Sequence, residues 1–261
     1  METVSHDGRY TAYRLIGTDA KGPTTLYVHG SGGNHQVWVH QYALNGPAHP
    51  AAALDLSGHG DSDDIETEPG PETLSAYAED VAAVAREIDA DVLVGNSLGG
   101  AVVFEVLLSE LFAPAAVVFA GSGAKLAVHE RIRTALAEDF EAVIEYLHRP
   151  SMLFADADDQ MVEQSKEAMR EAGQQITRRD YLTCHQFDVR DRLDELHLPS
   201  LAVVGDSDQL TPPWYHEHLA DQLPDCEYGT IEDAGHLAML EQPEAFNTAL
   251  ERFVTDLPTA Q

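Results

Sequence analysis

An α/β fold is predicted, with a mostly parallel central sheet, flanking helices and a helical insertion. Three observations carry it. Short apolar runs alternate with helix-length segments along most of the chain. The alternation lapses between Gly121 and Pro199, where only helical patterns remain. A serine also stands between an apolar run and a helix-length one, with glycine two residues away on either side, in Gly95-Asn96-Ser97-Leu98-Gly99.

Taken in order, strand-like runs occur at Tyr10 to Ile16, Thr24 to Val28, Ala51 to Leu56, Val92 to Val94, Ala116 to Phe119, Leu201 to Val204 and Cys226 to Ile231. Several are continuously apolar, as expected of strands covered on both faces. Helices are expected over Leu74 to Ile88, Leu98 to Leu108, Pro213 to Leu223 and Pro243 to Val254. The first is expected to open around Thr73 to Ser75, the last at Pro243, a favoured first-turn residue. Within the insertion, Ile132, Leu136, Phe140, Val143, Ile144 and Leu147 share one helical face, and Met161 to Ala172 and Arg178 to Phe187 read as further helices. Pro150 and Gly173 punctuate them. Residues 1–121 and 199–261 are therefore expected to form the sheet domain in two parts, and 122–198 the insertion.

The 261 residues carry 45 acidic against 15 basic side chains, a formal charge of −30, and the only lysines are Lys21, Lys125 and Lys166. Regular apolar segments argue against a disordered acidic chain. A surface adapted to concentrated salt fits better, because ~1 M salt shortens the Debye length to about 3 Å and screens self-repulsion. No basic stripe exists to neutralise phosphates, so nucleic acid is not an expected partner. No run approaches the ~20 apolar residues of a membrane span. Met1 to Tyr10 is polar and unlike a secretory signal, which predicts a cytoplasmic protein. Cys184 and Cys226 are too few for a disulfide framework and are expected to be small buried hydrophobes.

The serine pattern is that of a nucleophile elbow, in which a tight strand-to-helix turn presents the hydroxyl beside a helix N-terminus. Serine is a weak nucleophile at neutral pH and needs a base oriented by an acid. Two later strand exits supply them: Gly205-Asp206-Ser207-Asp208-Gln209-Leu210-Thr211-Pro212 and Glu232-Asp233-Ala234-Gly235-His236. His236 is the expected base. Asp208 is preferred as the acid for its reach, with Asp206 expected to bond within its own turn and Asp233 a weaker rival. The oxyanion needs backbone donors, each worth about 3 kcal/mol. The N–H of Leu98 is one, and the N–H of Ser31, in His29-Gly30-Ser31-Gly32-Gly33, is the second candidate. His29 is expected to support that loop, and Asp55 and His59 to shape the neighbouring turn Asp55 to Ser62. The glycine loop lacks the Gly-Lys-Ser/Thr of a phosphate-binding loop, His216 and His218 diverge on a helix, and Asp156 to Asp159 lacks the glycine and terminal glutamate of a calcium loop. Neither a metal nor a cofactor is expected. Met152, Leu153, Phe154 and Trp214 either line an apolar pocket or attach the insertion to the body.

These motifs, in this order along nearly the whole chain, resemble the α/β-hydrolase superfamily. The resemblance places the family's G-x-x-D acid on Gly205 and Asp208, and Gly121-Ser122-Gly123-Ala124 has no carboxylate for the alternative position. It implies that the helical insertion, following the sixth family strand, is a cap over the pocket. Serine at position 97 is unlike the aspartate of dehalogenases and epoxide hydrolases. The layout is similar to carboxylesterases, enol-lactonases, cofactor-free haloperoxidases and carbon–carbon bond hydrolases, although the loop after His29 departs from the Gly-Gly-Gly-Pro-Gly form of the last group. The expected activity is cleavage of a small or medium carboxylic ester through an acyl-enzyme. Carbon–carbon or lactone cleavage by the same residues is the alternative, and a non-catalytic ligand-binding protein on this fold the remote one.

Overall fold

The computed structural model describes residues 1–43, 49–255 and 257. Its strands are β1 (Glu2–His6), β2 (Arg9–Ile16), β3 (Thr25–Val28), β4 (Ala51–Leu54), β5 (Val92–Asn96), β6 (Ala116–Ala120), β7 (Ser200–Gly205) and β8 (Cys226–Ile231). They form one sheet in the spatial order β1-β2-β4-β3-β5-β6-β7-β8. The first two pairings are antiparallel and the rest parallel.

Every residue of β3 to β7 is buried, as the apolar runs require. Alternate side chains serve opposite layers. Leu26, Val28, Leu93, Val117 and Phe119 pack with helices α2 (Pro71–Glu87) and α3 (Leu98–Leu108). Tyr27, Val92, Val94 and Val118 pack on the other face with α9 (Pro243–Thr255), through Phe246 and Leu250. The Phe104 and Phe119 rings stack at 4.0 Å between centroids, fastening α3 to the sheet.

Three expectations are corrected. Strand β1 was not anticipated, because its residues alternate between exposed and half-exposed and bury no apolar run. Asp7 and Gly8, both at positive φ, form the two-residue turn that pairs it with β2. Helix α2 starts at Pro71 on an N-cap Gly70, ahead of the Thr73 to Ser75 region. The single amphipathic face from Ile132 to Leu147 is carried by two helices, α4 (Glu130–Glu138) and α5 (Phe140–Leu147). Asp139 leaves helical geometry between them and caps α5 by accepting from the Ala142 N–H at 3.1 Å.

Between β6 and β7 the described elements are all helical: α4, α5, α6 (Asp159–Gln186) and a 3-10 turn at Arg190–Glu195. The two expected helices of α6 run together in one element, broken at Gly173, whose φ of 81° and ψ of 165° lie outside helical space. The ends of the insertion meet where the Val189 N–H donates to the Ala124 carbonyl and Lys125 pairs with Asp188 at 2.8 Å. Helix α1 (Val39–Tyr42) follows the glycine-rich loop, α7 (Pro213–Gln222) joins β7 to β8, and α8 (Ala238–Glu241) follows β8. Among the described residues no helix is long and apolar enough to cross a membrane.

Candidate active site

Strand β5 ends at Asn96 and α3 begins at Leu98, leaving Ser97 alone on the turn with φ 53° and ψ −117°. A non-glycine residue held there stores about 1–3 kcal/mol of strain. The turn closes this tightly because a side chain at Gly95 would collide with the Gly99 carbonyl, and one at Gly99 with the Val28 carbonyl. The Ser97 N–H donates to the Ala120 carbonyl, and the Ser122 hydroxyl to the Ser97 carbonyl at 2.8 Å. Both bonds fix the serine's backbone from β6 and its exit loop. As the first residue of α3, Leu98 has an amide without an intrahelical acceptor.

Past β7, Asp208 is fully buried and its Oδ2 lies 2.8 Å from His236 Nδ1. Oδ1 accepts from the Leu210 and Thr211 amides at 2.8 and 3.0 Å, and Oδ2 from the Thr211 hydroxyl at 2.8 Å. Burial opposes the carboxylate charge, but His236 and the Thr211 bonds outweigh it and hold Asp208 at about 2. The neighbouring Asp206 is exposed and, among the described residues, its carboxylate accepts only the Ser207 hydroxyl. Asp233 is likewise exposed. The structure therefore brings Asp208 to His236 and leaves both rivals on the surface. Nδ1 being engaged, His236 presents its remaining nitrogen, Nε2, to the cavity it shares with Ser97, and no hydrogen bond joins that ring to the serine hydroxyl.

Three supports were not anticipated. The Thr211 hydroxyl also lies 3.2 Å from His236 Nδ1, bridging the pair. His216 accepts the Ser122 N–H at Nε2, and burial pushes its pKa down to about 4, so a neutral ring packs beside Asp208. Glu241 accepts the Gly235 amide on one oxygen and the Ala155 and Asp156 amides on the other, stapling the insertion to the loop of His236. Only Thr211 left a signal, standing within the motif that contains Asp208.

The loop after β3 lies over the elbow: a Cβ on Gly30 would sit 3.1 Å from that of Ser97. His29 accepts the Leu56 N–H at Nε2 and faces the Gly30 carbonyl with Nδ1 at 2.8 Å. Burial and the adjacent His59 push its pKa to about 4, so it acts as the neutral strut expected of it. Asp55 accepts the Asp61 N–H at 3.1 Å, closing the turn it was expected to shape, and also the amide and Nδ1 of His35 at 2.7 and 2.9 Å.

Ser97, His236, Ser31 and Gly30 line a cavity of about 580 Å³. Leu153, Met161 and Met169 of the insertion and Leu237 and Leu240 of the body form its apolar wall. Arg14, His35, Glu167 and Glu171 add polar groups. Of the four apolar candidates, Leu153 lines the cavity, Phe154 is buried in the core against the body, and Trp214 is 61% exposed and packs on Tyr215. Met152 is half-buried away from the wall. Burial pushes the Cys184 and Cys226 thiols up to about 12, though Cys226 is only half-buried. Among the described residues no cluster of side chains could hold a metal.

Comparison with known proteins agrees with this architecture. The chain is 23% identical to 3-oxoadipate enol-lactonase 1 of Acinetobacter baylyi, covering 97% of this chain and 96% of that protein. It is 27% identical to a pimeloyl-[acyl-carrier protein] methyl ester esterase of Neisseria meningitidis, over 87% of this chain and 75% of the relative. A solved thermophilic esterase superposes with a TM-score of 0.86 at 28% identity, covering 99% of this chain and 98% of that one. The model of the alpha/beta hydrolase family matches residues 26–249, and the chain belongs to that family.

Proposed function

We propose that this protein is a serine hydrolase that cleaves a small or medium carboxylic ester through an acyl-enzyme. The observation that carries the reading is the buried Asp208–His236 pair, whose free imidazole nitrogen opens onto the cavity of the strained Ser97. The chain's likeness to two ester-cleaving relatives supports the bond type. A cavity of this volume suits a small organic ester.

In the proposed reaction, a rotation of the Ser97 side chain brings its hydroxyl to His236 Nε2, a contact that commonly tightens only with substrate present. Nε2 takes the proton as Oγ bonds to the carbonyl carbon. The Leu98 and Ser31 amides hold the resulting oxyanion. Asp208 stabilises the imidazolium, which passes its proton to the departing alkoxide as the carbon–oxygen bond breaks. Water, deprotonated by the same nitrogen, then attacks the acyl carbon and releases the acid and the serine hydroxyl.

Residues 122–198 act in this reading as a cap over the core formed by 1–121 and 199–261, supported by the placement of Leu153, Met161 and Met169 on the cavity wall. The acidic excess supports work in concentrated salt. A cyclic ester is the second reading, favoured by the end-to-end likeness to an enol-lactonase. The test is labelling by a fluorophosphonate in several molar KCl, followed by turnover of nitrophenyl esters of graded length and of simple lactones. Labelling lost in Ser97→Ala is the expected result. An unlabelled wild-type protein that cleaves neither class overturns the reading.

A further inference from the structure

Asp180, in the half of α6 that follows the Gly173 break, is fully buried and lies against the glycine-rich loop. Its Oδ2 accepts the Gly32 N–H and a bond from His59 Nε2, both at 2.9 Å, and its Oδ1 accepts the Tyr77 hydroxyl at 2.8 Å. Three other residues of α6 touch the same stretch. Ser31 Oγ is 3.7 Å from Cys184 Sγ, and Gly32 packs closely on Thr177 and Met169. A loop with glycine at 30, 32 and 33 has little conformational preference of its own, so its shape must be imposed from outside.

We propose that Asp180 is a positioning residue for the oxyanion hole: through the Gly32 N–H it fixes the Ser31–Gly32 peptide, and so aims the Ser31 N–H at the developing oxyanion. The inference rests on the reading of Ser31 as an oxyanion donor. The Gly32 N–H belongs to the peptide that immediately follows Ser31. A charge-assisted bond to a buried carboxylate stops that peptide from rotating. The amide on the other side of Ser31 then keeps one direction. A bare carboxylate so close would repel the oxyanion, and this is the second element of the arrangement. His59, also fully buried, faces the same oxygen that holds Gly32. Both its ring nitrogens face acceptors, Asp180 Oδ2 and the Ser57 carbonyl. Burial works against its charge, but Asp180 raises its pKa nonetheless, which favours the imidazolium–carboxylate form. The loop thus receives a fixed acceptor whose charge is cancelled in place.

The test compares a nitrophenyl ester with its thionoester, whose sulfur accepts hydrogen bonds weakly and draws little on an oxyanion hole. In Asp180→Asn the charge that strengthens the Gly32 bond is lost, and one acceptor oxygen remains where two served Gly32, His59 and Tyr77. Misplacement of a donor predicts kcat on the ester about 10- to 100-fold lower with KM nearly unchanged, less than outright removal of a donor. The thionoester is expected to lose far less, so the ester-to-thionoester ratio falls. Leu250→Ala, on the buried face of α9, is the control: it lowers Tm and leaves the ratio alone. Should Asp180→Asn not fold, Asp180→Glu carries the same test, because it keeps the charge and displaces the acceptor from the Gly32 N–H. An unchanged ratio, or an equal loss on both substrates, overturns the positioning role while the wild-type enzyme still turns over. A wild-type protein inactive on both removes the hydrolase reading instead, and this proposal with it.

Discussion

Two buried Asp–His pairs of nearly the same length face opposite needs. In Asp208–His236 the Nδ1···Oδ2 distance is 2.8 Å, and in Asp180–His59 the Nε2···Oδ2 distance is 2.9 Å. His236 keeps Nε2 toward the cavity, with Thr211 completing the far side. His59 has its other nitrogen against the Ser57 carbonyl at 3.3 Å and no exposed surface. One ring can take and return a proton, whereas the other can only hold one. A dyad's geometry therefore does not assign its role; the partner of the second nitrogen does.

The largest effect separates the pairs directly. His236→Gln is expected to cut kcat by about 10⁶ with little loss of stability, as loss of one member of a nucleophile–base unit does. His59→Gln is expected to do the reverse, costing about 3–5 kcal/mol of stability by stranding a buried carboxylate, with at most a ~100-fold loss of rate. Parallel esterase assays and denaturant titrations read both, and equal rate losses would erase the distinction. Next in size, Asp208→Asn is expected to lower kcat by about 10⁴, while Asp206→Asn on the surface changes it within about twofold. A larger loss from Asp206→Asn would move the acid to the other carboxylate.

The third effect is on stability against pH. His29 and His216 are pushed by burial to about 4. Below 6.5 the unfolded chain therefore binds protons that the folded chain refuses, and stability falls as pH drops toward 4, by about 3 kcal/mol per ring. His59 is raised, so its contribution is complete below 6.5 and is lost as pH climbs through its folded value. In this window the His59 contribution is already complete and flat, so the lowered rings set the slope: Tm should decline from pH 6.5 to 4, and by a similar amount in His59→Gln. A Tm that stays flat or rises on acidification to pH 4 would mean that burial does not hold His29 and His216 neutral. Smaller still, Thr211→Val removes the hydroxyl bridging Asp208 and His236 and should cost about 1 kcal/mol in activation, read as a several-fold drop in kcat. Salt acts last and on exposed carboxylates only: Tm should climb with KCl, and a flat response would remove the argument for a brine-adapted surface.

Central strands were legible because covering both faces of a sheet demands unbroken apolar runs, and β8 matched its expected bounds. Strand β1 buries almost nothing, so the one available signal was the Asp7-Gly8 turn. The break at Asp139 was equally local, a capping residue inside a continuous apolar face. Ser97, Asp208 and His236 were readable since each sits just past a strand end, where chain order alone sets position. Asp180 was not, because its partner Gly32 lies 148 residues away and nothing in the periodicity of α6 marks it. Glu241 escaped for a similar reason, since the amides of Ala155 and Asp156 come from the insertion.

The interruption of α6 at Gly173 divides labour within a single rod. Met161, Gln164, Glu167 and Glu171 before it border the cavity, whereas Thr177, Asp180 and Cys184 after it grip the loop above Ser97. Met169, which touches both Gly32 and the cavity, and Tyr181, which lines the cavity from the second half, are the two crossings. On the proposed function, substrate range and turnover then draw on consecutive stretches of chain that overlap only at Met169 and Tyr181. Residues 159–172 apart from Met169 can diversify, by substitution or by exchange with a relative's segment, while Met169 and 174–186 stay constant. An enzyme assembled this way can acquire new substrates without having to rediscover its rate.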